Sequence, residues 1–155
     1  MILGIDPGKS GGVAWGGHGQ SNEAAPMPPT DEETGTLIYQ RVGTFPLVRD
    51  VAYVEDVPKY VGRAIPSSSA AVLFYNFGLV MGLLIARGIR VVLVRPQDWQ
   101  KPLNLGTRRA CGSAGEWKNK LKAEAQRRFP ELKVTLKTAD ALLILDYGRT
   151  KEANV

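Results

Sequence analysis

Met1-Ile2-Leu3-Gly4-Ile5-Asp6-Pro7-Gly8-Lys9-Ser10-Gly11-Gly12-Val13-Ala14-Trp15 opens the chain, and its pattern decides how the rest is read. Ile2, Leu3 and Ile5 make a short apolar run over Met1–Asp6, the mark of a buried strand. Pro7 to Gly12 has the composition of a tight turn, and Val13-Ala14-Trp15 reads as the returning strand of a hairpin. Asp6 stands where the buried strand opens to solvent. A carboxylate there is costly unless it is paired or binds a metal. Asp-Pro-Gly is also good turn chemistry, so an Asp capping its own turn is the competing explanation. Gly8-Lys9-Ser10 looks like the end of a phosphate-binding loop, but Leu3 stands where that loop needs its first glycine. Asp6 would also place negative charge in a nest meant for phosphate, which argues against such a loop.

Beyond the hairpin, Gly16 to Pro29 is polar and rich in Gly and Pro, with a weak third strand expected near Ala24–Met27. Asp31-Glu32-Glu33 suits the positive end of a helix dipole, and Leu37, Ile38, Arg41, Val42 and Phe45 continue the helix. Val51–Glu55 is the next buried strand. Lys59–Ser69 reads as a basic connection, and Ala70–Arg87 as a long apolar helix closed by Gly88. Ile89–Val94 is a β-branched strand that stops at Pro96, and Gln97–Lys101 makes a helical turn. Asn104–Gly115 is expected to be a loop, Glu116–Phe129 a basic helix ended by Pro130, and Thr138–Tyr147 a helix stopped by Gly148. The order predicts one α/β domain over residues 1–155, a mixed central sheet flanked by helices.

The 155 residues include one Cys and one His, which excludes a disulfide framework and a Cys/His zinc site. Lone His18, between glycines, leaves no Ser-His-Asp triad. No apolar run is expected to approach the ~18 residues of a membrane span, and no basic-then-apolar leader opens the chain. The expectation is a cytoplasmic domain of a bacterial or phage-infected cell, an organelle not excluded, with no membrane partner. The net charge of +5 is uneven: residues 1–86 carry five Lys/Arg against eight Asp/Glu, and residues 87–155 carry fifteen against seven. A basic half points to a polyanion, bound through phosphate neutralisation and counterion release, or else to a solvated basic surface.

Two further acids repeat the setting of Asp6. Glu55 closes Val51-Ala52-Tyr53-Val54 before a Pro-punctuated loop, with Asp56 as its obvious substitute. Asp140 lies in the first turn of a nearly all-apolar helix, where the dipole tolerates negative charge. Neighbouring carboxylates repel unless a divalent cation separates them. Asp6, Glu55 and Asp140 together describe an all-oxygen site for Mg²⁺ or Mn²⁺, the chemistry of phosphodiester cleavage by an activated water. Surface acids, a helix-end carboxylate and a turn cap are the ordinary alternatives.

Ile2-Leu3-Gly4-Ile5-Asp6-Pro7-Gly8, then Val54-Glu55, then Ala139-Asp140-Ala141-Leu142-Leu143-Ile144 with Tyr147-Gly148, resembles the RuvC family of Holliday-junction resolvases. Phe74-Tyr75-Asn76-Phe77-Gly78 through Gly82, followed by Val92–Pro96 and Trp99, is similar to that family's chloroplast and bacteriophage branches. The resemblance implies an RNase H-like fold and a homodimer that cuts four-way DNA junctions by paired nicks. It also implies divalent metal held by Asp6, Glu55 and Asp140, with no small-molecule cofactor. One departure concerns the additional acid, or His, that the family carries about a helical turn before its last Asp: here the stretch is Leu136-Lys137-Thr138. If the helix begins near Lys137, its ammonium shares a face with Asp140 and could stand in for part of a second cation's charge.

The family places an aromatic at the junction centre, which makes Phe74 and Tyr75 candidates, with core or dimer packing as the alternative. Lys59, Arg63, Arg108, Arg109, Lys118, Lys120 and Lys122 are candidate phosphate contacts. Gly78 and Gly82, four apart on a helix apolar almost all round, suit close packing in a dimer or in a core. A nuclease acting on other branched, hybrid or single-stranded nucleic acid, and a non-catalytic junction-binding protein, are the competing functional readings.

Overall fold

The computed structural model describes residues 1–17, 20–42, 50–57 and 66–153. Strands β1 (Ile2–Asp6), β2 (Gly12–Gly17), β3 (Gln20–Pro26), β4 (Val51–Glu55) and β5 (Arg90–Val94) form one sheet in the order β3-β2-β1-β4-β5. β1, β2 and β3 are antiparallel neighbours, whereas β1–β4 and β4–β5 pair in parallel. The mixed sheet expected from the opening hairpin is present. Helices α1 (Asp31–Val42), α2 (Ser67–Ala86), α3 (Pro96–Gln100), α4 (Ala114–Arg128) and α5 (Ala139–Glu152) complete the described fold.

Strand alternation assigns each residue to a layer. Leu3, Ile5, Ala52 and Val54 face α1 and α2, packing with Ile38, Val80 and Leu84. Ile2, Val51 and Tyr53 face the other way, against Trp99, Trp117, Leu121 and the apolar side of α5. Leu3 and Ile5 are fully buried, each worth about 1.5–3 kcal/mol of apolar transfer. By the same alternation Gly4 and Asp6 share the α5 side with Ile2. A Cβ on Gly4 would run into the Ala141 carbonyl and the Leu145 amide, so α5 lies directly on the β1 backbone.

Several boundaries differ from the sequence expectation, each for a local reason. α5 does not stop at Gly148 but continues to Glu152, and the Tyr53 ring occupies the space where a Cβ at Gly148 would sit. That glycine is a packing notch and not a helix stop. α4 begins at Ala114, two residues early, through a Ser-x-x-Glu cap: Ser113 Oγ accepts from the Glu116 amide at 3.1 Å, and the Glu116 carboxylate accepts from the Gly112 amide at 2.8 Å. β3 runs over Gln20–Pro26 rather than only its end, paired with β2.

α2 corrects the membrane expectation. At 20 residues it is long and apolar enough to cross a membrane by length and composition, since no charged residue stands between Arg63 and Arg87. The helix runs through Asn76, Gly78 and Gly82, as the expected span Ala70–Arg87 has it, and begins three residues earlier. Only Val80 and Leu84 of α2 are fully buried, while Val72, Tyr75 and Ile85 are exposed.

Candidate active site

Ile5 pairs with Val54 in the parallel β1–β4 register, so Asp6 and Glu55 follow one step further on adjacent strands. Asp140 opens α5 one residue before Ala141, whose carbonyl is seated on Gly4. The glycine notch in β1 thus draws the start of α5 toward the end of that strand. Asp6, Glu55 and Asp140 line one cavity of about 380 Å³, with Ser10, Arg108, Trp117 and Lys118 among its walls. It opens at the carboxyl ends of the parallel strands, the usual ligand position in open α/β sheets.

Two of the acids are held by short local contacts. Asp6 Oδ1 accepts from the Gly8 amide at 3.0 Å, so the turn-capping reading and the site reading are both realised by one side chain. Glu55 Oε2 accepts from the Trp99 indole N–H at 2.9 Å, and Trp99 is itself buried in the core. Asp56, the substitute considered for Glu55, lies outside the cavity wall; its amide donates to the Val94 carbonyl.

The electrostatics of the three acids are alike. Burial raises Asp6 above the ordinary aspartate range, against the Gly8 bond and the Lys118 ammonium. Burial, then repulsion from Asp6 and Asp140, pushes Glu55 up to about 8. Burial, then repulsion from Asp6, pushes Asp140 up to about 6. Carboxyls displaced by burial and by one another in a cleft make a candidate functional site.

Lys118, read from the sequence as a phosphate contact, is the ammonium that faces all three acids. Its position on α4 follows from the Ser113 cap and from Trp117 and Leu121, which dock the helix on the core. Lys137 is placed differently from the expectation. The helix starts at Ala139, after Lys137, whose side chain is exposed in the preceding turn and is not part of the cavity wall.

Arg108 lines the cavity, and Arg109 lines an adjoining groove. Lys120 is exposed and ion-paired to Glu116 at 3.6 Å, while Lys122 is half-buried one turn after Lys118. Phe74 and Tyr75 lie on α2, and the Tyr75 hydroxyl donates to the Asp31 carboxylate. Lys59 and Arg63 lie outside the described residues. Reading the sequence missed Trp99 as the partner of Glu55; its one visible signal was a tryptophan just after a strand that ends beside Glu55.

The donor set suits a hard divalent cation, being all carboxylate oxygen with surplus negative charge. Among the described residues no three His, Cys, Asp or Glu side chains close into a metal cluster. The acids instead line a cavity open to solvent.

No protein-family profile matches the sequence, and no curated protein sequence matches it either. Solved structures do. Thermus thermophilus RuvC superposes with a TM-score of 0.53 at 17% identity, covering 97% of this chain and 96% of that one. T. thermophilus RuvC in complex with Holliday junction substrate gives a TM-score of 0.57 at 19% identity, covering 96% of this chain and 94% of that one. The chain has the RuvC/RNase H-like fold, as the motif resemblance implied.

Proposed function

We propose that this protein is a divalent-metal-dependent endonuclease that resolves four-way DNA junctions by paired nicks. The observation that carries the reading is the convergence of Asp6, Glu55 and Asp140 on one cavity whose other charged walls are Arg108 and Lys118. The RuvC fold, and a RuvC structure holding a Holliday junction, favour branched DNA over the competing nucleic-acid substrates. Asp6, Glu55 and Asp140 would hold Mg²⁺ or Mn²⁺, which when bound acidifies a water and offsets charge on the phosphate.

The chain's own residues do the rest. The Gly8 amide and the Trp99 indole each occupy one carboxylate oxygen, fixing Asp6 and Glu55 and leaving their other oxygens for the site. Lys118 and Arg108 attract the scissile phosphate and stabilise the charge it gains in the transition state. Lys137, exposed just ahead of α5, acts at most on the approaching backbone.

Paired nicking needs two such sites, and a homodimer with a twofold axis supplies them. The face of α2 supports this assembly: Val72, Phe74, Tyr75 and Ile85 are exposed, and a Cβ at Gly78 or Gly82 would meet nothing. A second copy of α2 covers this apolar helix from water and makes the membrane role unnecessary. Tyr75 is tied to Asp31, which leaves Phe74 as the aromatic free to enter the junction centre.

The test is cleavage of a labelled four-way junction with Mg²⁺ or Mn²⁺ against EDTA, beside duplex, RNA–DNA hybrid and single-stranded controls. Symmetric metal-dependent nicks in the junction are expected. Preferential cutting of hybrid or single strands would transfer the chain to the other nuclease reading, and binding with no cleavage in either metal would leave only junction binding.

A further inference from the structure

A groove of about 930 Å³ adjoins the acid cavity and shares Pro96, Gln100, Arg108 and Trp117 with it. Lys101, Arg108 and Arg109 line it, and no carboxylate does. These three cations suit a strand of nucleic acid leaving the cavity. Three amide side chains, Gln97, Gln100 and Asn104, also line the groove. Phosphate only accepts hydrogen bonds, so it can use an amide's N–H₂ group but leaves the amide oxygen unpaired. A base edge presents a donor beside an acceptor, and Asn and Gln match it in bidentate fashion.

The amides are free to take such a partner. Among the described residues none of the three side chains is hydrogen-bonded to protein. Their backbone, by contrast, is fixed. Gln97 and Gln100 are three apart on α3 and share a face. Asn104 sits in the left-handed region at φ 55°, after a 3-10 turn over Lys101–Leu103, with its backbone N–H donating to the Lys101 carbonyl and Leu103 buried. Asn tolerates that backbone better than most residues. Between the two glutamines, Trp99 is buried and bonds Glu55. One short segment therefore anchors a site carboxylate on one side and offers unpaired amides on the other.

We propose that Gln97, Gln100 and Asn104 form a nucleobase-reading subsite, which seats a base of the cleaved strand beside the scissile phosphate. The proposal rests on the nuclease reading above and adds to it a determinant of which nucleotide flanks the cut. Contact with the amides bears on α3, and through Trp99 on the placement of Glu55, so the identity of the base should register in the cleavage rate.

The experiment uses a panel of labelled four-way junctions differing only at the two nucleotides that flank the cut. Cleavage rates with Mn²⁺ and binding in EDTA are measured for wild type, Gln97→Ala, Asn104→Ala and Gln97→Glu. Wild type should cut the best and worst junctions at rates about tenfold apart, within the discrimination one amide–base pair provides. Gln97→Ala and Asn104→Ala should compress that spread. Gln97→Glu keeps the shape but loses the donor, and should change the order of preferred bases. Melting temperatures check folding: Gln97 is exposed and its variants should melt near wild type, while Asn104→Ala should melt slightly lower because of its left-handed backbone. A flat wild-type profile overturns the subsite while leaving the nuclease intact, and so does an equal slowing of every junction by the variants. Loss of affinity in the variants, equal for every junction and with the spread of rates unchanged, would make the groove a phosphate track and also overturn it. If wild type cuts no nucleic acid, the nuclease reading fails first and the subsite falls with it.

Discussion

Helix α5 carries a carboxylate at each end, and the two live in opposite electrostatic worlds. At its far end Glu152 accepts from the Tyr53 hydroxyl at 2.6 Å and from Arg90 at 2.7 Å, and these partners hold it below the usual carboxylate range. The same end of the sheet buries Asp50 against the N-terminal ammonium of Met1. At the near end Asp140 joins Asp6 and Glu55 in a cavity with one facing ammonium, and all three are displaced upward. A buried acid with partners contributes to stability, whereas a buried acid among other acids costs it. The paired end is organised for folding. The crowded end instead favours the protonated form of its carboxyls.

The largest break in this comparison should come from Asp6→Asn. It removes one negative charge at the cavity while an amide oxygen can still accept from Gly8. Junction cleavage should fall by about a thousandfold or more, with junction affinity in EDTA close to wild type. Cleavage at the wild-type rate with metal supplied would remove Asp6 from the site.

Next in size is the pH dependence of the metal-free protein. An ordinary Glu ionises near 4.5 when unfolded, while Glu55 in the fold ionises at about 8. Between those values the folded state binds more protons, so stability falls as pH rises, and Asp140 adds the same trend up to about 6. Glu124, bonded to Arg127 and Arg128 and held down at about 2, behaves oppositely. Its contribution is complete above about 4.5 and is lost as pH falls toward 2. Melting in EDTA should thus give greatest stability in the mildly acid range, declining by on the order of a few kcal/mol toward pH 8. Glu55→Gln, or added Mn²⁺, should flatten that decline. An unchanged slope in Glu55→Gln would show that Glu55 is not the group responsible.

A smaller contrast separates two lysines. Lys118→Ala should slow cleavage by about tenfold to a hundredfold, as loss of a charge aimed at the developing phosphate charge does. Lys137→Ala, on an exposed turn, should change the rate much less. The reverse order in single-turnover rates at saturating enzyme would restore Lys137 as the stand-in for a second cation.

The smallest effect belongs to the paired end. Glu152→Gln should lower stability by about 1 kcal/mol, since part of the Tyr53 and Arg90 bonding survives, and should leave cleavage unaltered. A change in cleavage without a change in melting would mean that the two ends of α5 are coupled.

Much of this arrangement was legible in residue order. Apolar runs ending in Asp6 and Glu55 and an apolar helix starting at Asp140 declare both their elements and their carboxylates, because strand and helix periodicity are local properties. β1, β4 and β5 accordingly lie within a residue of their expected positions. Local signals failed where a distant residue decided the outcome. Gly148 reads as a helix stop because helical propensity counts only its missing side chain, yet Tyr53, 95 positions earlier, fills the gap.

The sequence alone determined that three acids sit at element ends, that the second half of the chain is basic, and that the opening is a strand-turn-strand. Only the tertiary structure decided that these acids share one cavity. It also selected Lys118 over Lys137 as the facing ammonium, and brought Trp99 to Glu55. Side-chain spacing along a strand or helix is a property of the local backbone. Proximity across elements depends on the β1–β4 register and on how closely α5 approaches the strand at Gly4, and those are fixed by packing over the whole core.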